Sequence, residues 1–237
     1  MNVLKSFSLL FEDVLSIAFP NNCVLCHQSL FESEETICYQ CIQSLPLTHY
    51  YKHIDNPTAQ LFWGRCEIAN CASHFFMNKH NHVHDLIHLL KYRNKRTVGV
   101  RLGKLIGTKL KSDESIFTKQ DFIIPVPLHF KKERLRGYNQ SFYIAKGIGA
   151  ATGWNIMENN LIRQKENISQ TKKTKYERWD NVDGIFKLKN SEKLADKNVL
   201  LVDDVITTGS TLEACVHALK KASGIKISIA SVATAGD

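Results

Sequence analysis

The period of the hydrophobic pattern changes repeatedly along the chain, and each change marks an element. Val3, Phe7, Leu10, Val14 and Ile17 recur at helical spacing and predict an amphipathic helix docked on the rest of the protein. Residues 65–77, RCEIANCASHFFM, read as strand, followed by a polar hairpin tip, NKHNHVHD. Leu86, Leu89 and Leu90, then Val98, Leu102, Leu105 and Ile106, make one helical pattern over 84–110. A linker, 111–120, leads to the strand FIIPVP, whose end is punctuated by Pro125 and Pro127, and the residues after it read as a loop. FYIAKGIGAATG reads as a helix ending near Gly153. Val199, Leu200, Leu201 and Val202 are apolar on both faces, as a buried parallel strand requires. Asp203 and Asp204 fall where that strand is predicted to end. TTGST follows as a loop, then LEACVHALKKASG as a helix with Gly224 as its C-cap. Strand, acidic pair, loop and helix form one unit of an open α/β sheet, and such sheets bind ligands at the carboxyl ends of their strands.

Composition adds a division. The chain has 237 residues, 43% of them hydrophobic, enough for one domain of ordinary size plus a small module. Neither internal repeats nor low-complexity tracts occur. Residues 1–55, the leading helix and a cysteine module, hold two basic and six acidic residues, a net −4. Residues 56–237, the larger domain, hold 29 basic and 17 acidic, a net +12. That excess suits a polyanion, either a pyrophosphate-bearing sugar or nucleic acid, and it also serves plain solubility. VLKSFSLLFEDVLSIAF is interrupted by Glu12 and Asp13 and has no small-residue cleavage site after it, so no secretory signal is read. It is too short and too charged to span a membrane, and its single lysine gives it no basic face for a membrane surface. A cytoplasmic location is expected.

The cysteines carry a metal pattern. Cys23-x2-Cys26 is followed after eleven residues by Cys38-x2-Cys41. Two such knuckles close a tetrahedral thiolate site for a structural Zn²⁺. Disulfides or a redox pair are the alternatives; the missing secretory signal favours reduced thiols, and two close pairs favour metal. A module of ~35 residues has too little core to fold without such a clip. His27 follows Cys26 directly, but four thiolates already fill the shell. Cys66, Cys71 and the cluster His80, His82 and His84 offer a conceivable second metal site, against the better reading of strand cysteines and a polar tip. Cys215 reads as core packing.

The richest chemistry lies in 199–211, VLLVDDVITTGST. A loop opening a helix presents free backbone N–H groups and the positive end of the dipole, which favour a phosphate. Gly209 permits positive φ and close approach, and Thr207, Thr208, Ser210 and Thr211 add hydroxyl donors. Asp203 and Asp204 can accept hydrogen bonds from a ribose 2′,3′-diol, directly or through hydrated Mg²⁺. A second basic segment follows FIIPVP: Lys131, Lys132, Arg134 and Arg136, with Gly137 for a tight turn and Tyr138, Asn139 and Gln140 to contact a base or fix the loop. Lys91 can reach a phosphate or sit as a solvated helix lysine. Residues 161–188 begin polar and basic, with the composition of a mobile lid.

These motifs, in this order, resemble the ComF family of competence-associated proteins. The string 199–211 looks like the phosphoribosyl pyrophosphate (PRPP) motif of the type I phosphoribosyltransferases, RGYNQ is close to the family's RGFNQ, and Arg178, Asn181, Gly184 and Phe186 match its spaced set. The resemblance implies an α/β fold, a type I phosphoribosyltransferase-like open, mostly parallel sheet with a small N-terminal four-cysteine zinc module. It implies PRPP with Mg²⁺ as ligand, with Asp203 and Asp204 on the ribose and Thr207 to Thr211 on the 5-phosphate. It places Arg134, Arg136, Gly137, Asn139, Gln140, Lys91 and, in the lid with Gln170, Arg178 around the substrate, and makes Gly184 and Phe186 structural. It further implies a role in natural competence and DNA uptake, with single-stranded DNA and competence machinery as partners. Phosphoribosyl transfer to an unidentified acceptor stands beside a second expectation, a non-catalytic single-strand binder or PRPP sensor, for which Tyr138, Trp154, Tyr176 and Trp179 offer rings to stack on bases, against the better reading of each as core or lid packing. Glutamine-dependent amidophosphoribosyl transfer is not expected, because Met1 is followed by Asn2 rather than a cysteine nucleophile.

Overall fold

The computed structural model describes residues 21–165 and 184–235. The leading amphipathic helix and the lid positions Gln170, Lys172, Lys173, Tyr176, Arg178, Trp179 and Asn181 lie outside the described residues. The chain divides into two compact units, Met1–Leu45 and Pro46–Asp237.

In the smaller unit the chain turns tightly after each cysteine pair. His27 takes a left-handed conformation at φ 61° while its N–H donates to the Cys23 carbonyl at 3.0 Å. Helix α1 (Tyr39–Gln43) begins on Cys38, whose sulfur accepts the Cys41 N–H at 3.5 Å. Apart from the cysteines, the buried hydrophobics described here are Ile37 and Leu45, a core too small to hold a fold alone.

The larger unit opens with α2 (Pro57–Gln60), capped by Asn56, and β1 (Asn70–Met77). Then come α3 (His82–Tyr92), α4 (Arg96–Leu110), β2 (Phe122–Pro125), α5 (Phe130–Arg136), α6 (Gln140–Thr152) and β3 (Asn155–Ile156). The short strands β4 (Leu161–Arg163) and β5 (Phe186–Leu188) precede β6 (Asn198–Ile206), α7 (Ser210–Leu219) and β7 (Lys226–Ala235). Five strands form one sheet in the order β1-β7-β6-β2-β3, every neighbouring pair parallel. β4 and β5 pair antiparallel in a separate ribbon. The predicted α/β class with a mostly parallel sheet is therefore observed. Val199 to Val202 are fully buried, as expected of a central strand covered on both faces. Val199 and Leu201 join Phe62, Ile124, Ile227, Ile229, Leu212 and Val216 in one cluster under α7, while α6 packs on β2 and β6.

Several local expectations are corrected. The single helix read over 84–110 is two, because Asn94 adopts φ 54° and breaks the ladder between α3 and α4. β1 starts at Asn70, so Cys66 precedes the strand, and no hairpin follows, because β1 pairs in parallel with β7. The basic segment after β2 contains a helical turn, α5, rather than only loop. α7 ends at Leu219, before Gly224, which instead turns the chain into β7 at φ 66°. Phe186 returns the chain to the β4–β5 ribbon rather than to the main sheet.

One packing feature sets the position of α6. A side chain at Gly103 would come within 2.1 Å of the Ile144 carbonyl, and one at Gly147 within 2.1 Å of the Val100 carbonyl. α4 and α6 therefore touch backbone to backbone, and only glycine fits at both positions.

Candidate functional site

In sheet order the chain runs outward from β2 to β3 on one side and from β6 to β7 on the other. The strand order reverses between β2 and β6, where an open α/β sheet forms its crevice at the carboxyl edge. β2 and β6 are in register there, with Pro125 opposite Val202 and the Val126 N–H donating to the Val202 carbonyl at 2.9 Å.

Asp203 and Asp204 follow directly. β6 continues through them to Ile206, so they sit within its last turn of pleat rather than past its end. The two carboxylates have different partners. Asp203 Oδ1 accepts the Ser141 hydroxyl at 3.0 Å, from the first turn of α6, and the Asp204 N–H at 2.9 Å. The buried Asp204 faces Lys91 of α3, with Nζ 3.1 Å from Oδ2. Burial, and then the charge of Asp204, push Asp203 up to about 7, against the pull of its two hydrogen bonds and Lys91. Two carboxylates share one lysine, so the site has unmet demand for positive charge near neutral pH. Lys91, expected on a phosphate or in solvent, is found on the carboxylate.

The loop beyond is built from distant parts. Gly209 caps α7 with φ 74°, and a side chain there would lie 3.1 Å from two ring carbons of Phe62. Arg65 spans the loop. Its guanidinium donates to the Leu61 carbonyl at 2.9 Å, to the Thr208 carbonyl at 2.8 Å and to Ser210 Oγ at 3.4 Å, and pairs with Glu213. Thr207 and Thr208 are exposed, Ser210 and Thr211 half-buried. The first-turn N–H groups of α7 have no partner within their own helix. The loop thus presents amide and hydroxyl donors together, a constellation suited to a phosphate dianion.

On the β2 side, the sequence-selected residues separate into supports and exposed cations. Asn139 caps α6 by accepting the Ser141 N–H at 3.0 Å, and its amide donates to the Val126 carbonyl at 2.9 Å. Gln140 is buried and accepts from Arg136, whose guanidinium also lies 5.8 Å from the Tyr92 ring centre. Gly137 takes φ 81° to end α5. Tyr138 is buried and donates to the Leu90 carbonyl, and Trp154 is buried too, so neither ring is presented for stacking on bases. Lys131, Lys132 and Arg134 are exposed on α5, none of whose residues is buried. Arg178 lies outside the described residues.

In the smaller unit the Sγ atoms of Cys23, Cys26, Cys38 and Cys41 all lie within 4.8 Å of one another, an arrangement able to hold a metal ion. Cys26 and Cys38 are 3.7 Å apart, close to the ~3.8 Å edge of a tetrahedron with ~2.3 Å metal–sulfur bonds. Burial works to raise the Cys23 thiol, but backbone N–H groups, that of Cys38 foremost, outweigh it and bring it down to about 6. Burial and the neighbouring sulfurs push Cys41 well up. Four clustered thiols cannot all ionise without a cation among them. No further cluster of three or more metal-ligating side chains occurs among the described residues, His80, His82 and His84 included. Cys71 and Cys215 are fully buried, as core residues.

Sequence reading missed Arg65, Phe62, Glu213 and the role of Ser141. Arg65 lies 143 residues before the loop it holds, and no local pattern marks it.

The phosphoribosyl transferase domain family matches residues 156–237. Competence protein F of Haemophilus influenzae is 27% identical over 218 residues, covering 86% of this chain and 92% of that protein. Among solved structures, the glutamine PRPP amidotransferase of B. subtilis is 22% identical, with a TM-score of 0.38. That match covers 55% of this chain but only 25% of the amidotransferase. An adenine phosphoribosyltransferase is 15% identical, with a TM-score of 0.39, over 62% of this chain and 74% of its own.

Proposed function

Taking the chain as a homologue of competence protein F with a phosphoribosyl transferase domain, consistent with the ComF family, we propose that it binds PRPP at the carboxyl edge of β6 and transfers its phosphoribosyl group to a nitrogen acceptor. One observation carries the reading: Asp203 and Asp204 stand two residues before the 207–211 loop, so that acceptors for a diol and donors for a phosphate lie close together along one strand and its loop. The loop holds the 5-phosphate and the carboxylates hold the ribose diol. A magnesium ion brought by the ligand would be held by Asp203 and Asp204, and would supply neutralisation of charge on pyrophosphate. In the transfer, the anomeric C–O bond breaks with its electron pair leaving on pyrophosphate. The acceptor's lone pair forms the new C–N bond, and its surplus proton departs to pyrophosphate or solvent. Exclusion of water matters here, because water would otherwise trap the oxocarbenium-like state.

We propose zinc as the metal of the four-cysteine site; its all-thiolate donors and their spacing support that reading. Elemental analysis of the purified chain is expected to return one zinc per molecule. By analogy with the Haemophilus relative, the protein acts in competence; a cytoplasmic location and competence proteins as partners are proposed alongside. A second reading, binding of single-stranded DNA, is favoured by the exposed cations of α5.

The decisive experiment is isothermal titration with PRPP, with and without Mg²⁺, on the wild-type chain and on Asp203→Asn/Asp204→Asn. Mg²⁺-dependent binding that the double variant loses is expected. Absence of binding at millimolar PRPP would overturn the transferase reading and leave DNA binding as the leading account.

A further inference from the structure

The two carboxylates at the end of β6 are not equally supplied. Asp203 Oδ1 already takes two neutral donors, the Ser141 hydroxyl and the Asp204 N–H. Asp204 is 4% exposed, and its Oδ2 accepts no hydrogen bond. What faces that oxygen is the Lys91 ammonium, 3.1 Å away, and no other ion pair reaches either aspartate among the described residues. A buried carboxylate oxygen left without a hydrogen bond is costly, and it is also the ligand type that a hard divalent cation takes. The place such an ion would claim on Asp204 is therefore held by Lys91.

Lys91 can both hold this place and leave it. It lies in the last turn of α3, and the residue before it is pinned: Leu90 is fully buried, and its carbonyl accepts the Tyr138 hydroxyl. The backbone is thus fixed, while the Lys91 side chain is a flexible four-carbon stem, 24% exposed. Its head can swing without any shift of α3. A free divalent cation reaching Asp204 displaces the ammonium, which then stands close to a dication with no anion to receive it. A phosphate-bearing ligand removes that obstacle, since its oxygens take the ammonium as the metal takes the carboxylate.

We propose that Lys91 makes metal entry conditional on an anion: it excludes a free divalent cation from Asp204 and yields the carboxylate when a phosphate-bearing ligand arrives to receive its charge. Metal and ligand then bind with positive coupling, and by reciprocity each tightens the other. The identity of the anion rests on the PRPP reading; the exclusion of free cation does not. An acidic pair closed to free metal stays available to the ion that arrives already bound to the ligand.

The test uses the full zinc-loaded chain with Mn²⁺ as the probe, its free concentration read by electron paramagnetic resonance. Wild type is expected to bind Mn²⁺ only weakly without PRPP. Lys91→Met, which keeps the stem and removes the charge, should bind Mn²⁺ about tenfold more tightly or better. Lys91→Arg keeps the charge and should stay at the wild-type level. Asp204→Asn in the Lys91→Met background should lose the gain, which ties it to this carboxylate rather than to the thiolates. Lys91→Gln, whose amide can still donate to Asp204, carries the same measurement with a smaller gain, and unfolding midpoints establish that each variant is folded. Wild-type affinity equal to that of a folded uncharged variant, an equal gain in Lys91→Arg, or a gain that survives Asp204→Asn would each overturn the proposal. PRPP is then added to wild type and to Lys91→Met, with its own Mn²⁺ complex measured as the blank. It should raise Mn²⁺ affinity more in wild type than in the variant, and an equal rise in both would overturn the coupling. If PRPP changes nothing in wild type while Lys91→Met gains its Mn²⁺, the PRPP reading falls and the exclusion of free cation stands.

Discussion

The segments that follow β6 and β2 start from the same edge of the same sheet and are built in opposite ways. The 207–211 loop is fixed from behind by Arg65, Phe62 and Glu213, with a glycine at φ 74° where a side chain would press on the Phe62 ring. α5, seven residues long, buries none of its side chains and leaves Phe130 and Leu135 largely exposed. The difference teaches where preorganisation resides. A site that must recognise a fixed phosphate gains from donors held in place before binding, because no ordering cost remains to be met then. A segment of exposed cations contributes long-range attraction to an anion.

The comparison breaks first at Gly209. Gly209→Val places a β-branched residue at φ 74° against Phe62, a cost of about 2–4 kcal/mol. Titration should show PRPP affinity reduced by about a hundredfold, with a lower unfolding midpoint.

Proton coupling gives the next effect. Asp203 keeps its proton to about 7 in the folded chain, whereas an unfolded aspartate releases it near ~3.9. The folded state therefore binds the extra proton between those values, and ligand-free stability should fall as pH rises from about 4 to about 7. Asp203→Asn should flatten that slope in urea melts run across the range. Binding of Mg²⁺–PRPP needs the carboxylate, so affinity should climb by up to about tenfold per pH unit below 7 and level off above it. Calorimetry in buffers of different ionisation enthalpy should register the released proton.

Arg65→Ala sharpens the contrast at smaller scale. The loop loses its ties to Thr208 and Ser210, and Glu213 loses its partner. A loss of about tenfold in PRPP affinity is expected, with faster amide exchange at Thr208 to Thr211.

The mildest change is on the other side. Lys131→Ala/Lys132→Ala/Arg134→Ala should shift the unfolding midpoint by no more than a few degrees, since each exposed surface change shifts stability by under ~0.5 kcal/mol. Affinity for a single-stranded oligonucleotide should fall severalfold, with a shallower salt dependence.

Much of the fold was legible. The unbroken apolar run at Val199–Val202 allowed only a doubly covered strand, and Gly153 closed α6 as a helix-ending glycine should. The reading slipped where local pattern and tertiary pairing diverge. Nothing in 84–110 shows that Asn94 turns left-handed, because asparagine tolerates that conformation without demanding it. Apolar residues before Asn70 resemble strand, yet pairing with β7 decides where the strand starts. At the candidate site, the residue types and order of 203–211 were plain, while the ties that hold them were not. Lys91 offered a cation, and only the fold turned it to Asp204 rather than to a phosphate.

Sequence by itself determined most of the periodic elements, the buried strand at Val199–Val202, the paired cysteines and the acidic pair before a glycine loop. Each of these is written in neighbours fewer than about twenty residues apart, within reach of helical period, strand alternation or ligand spacing. Tertiary structure alone decided that Arg65 braces the loop and that Ser141 and Lys91 divide the two aspartates. It also decided that Gly103 and Gly147 let α6 approach closely. Those contacts join residues with no local correlation, and only burial of the shared core fixes the geometry in which they meet.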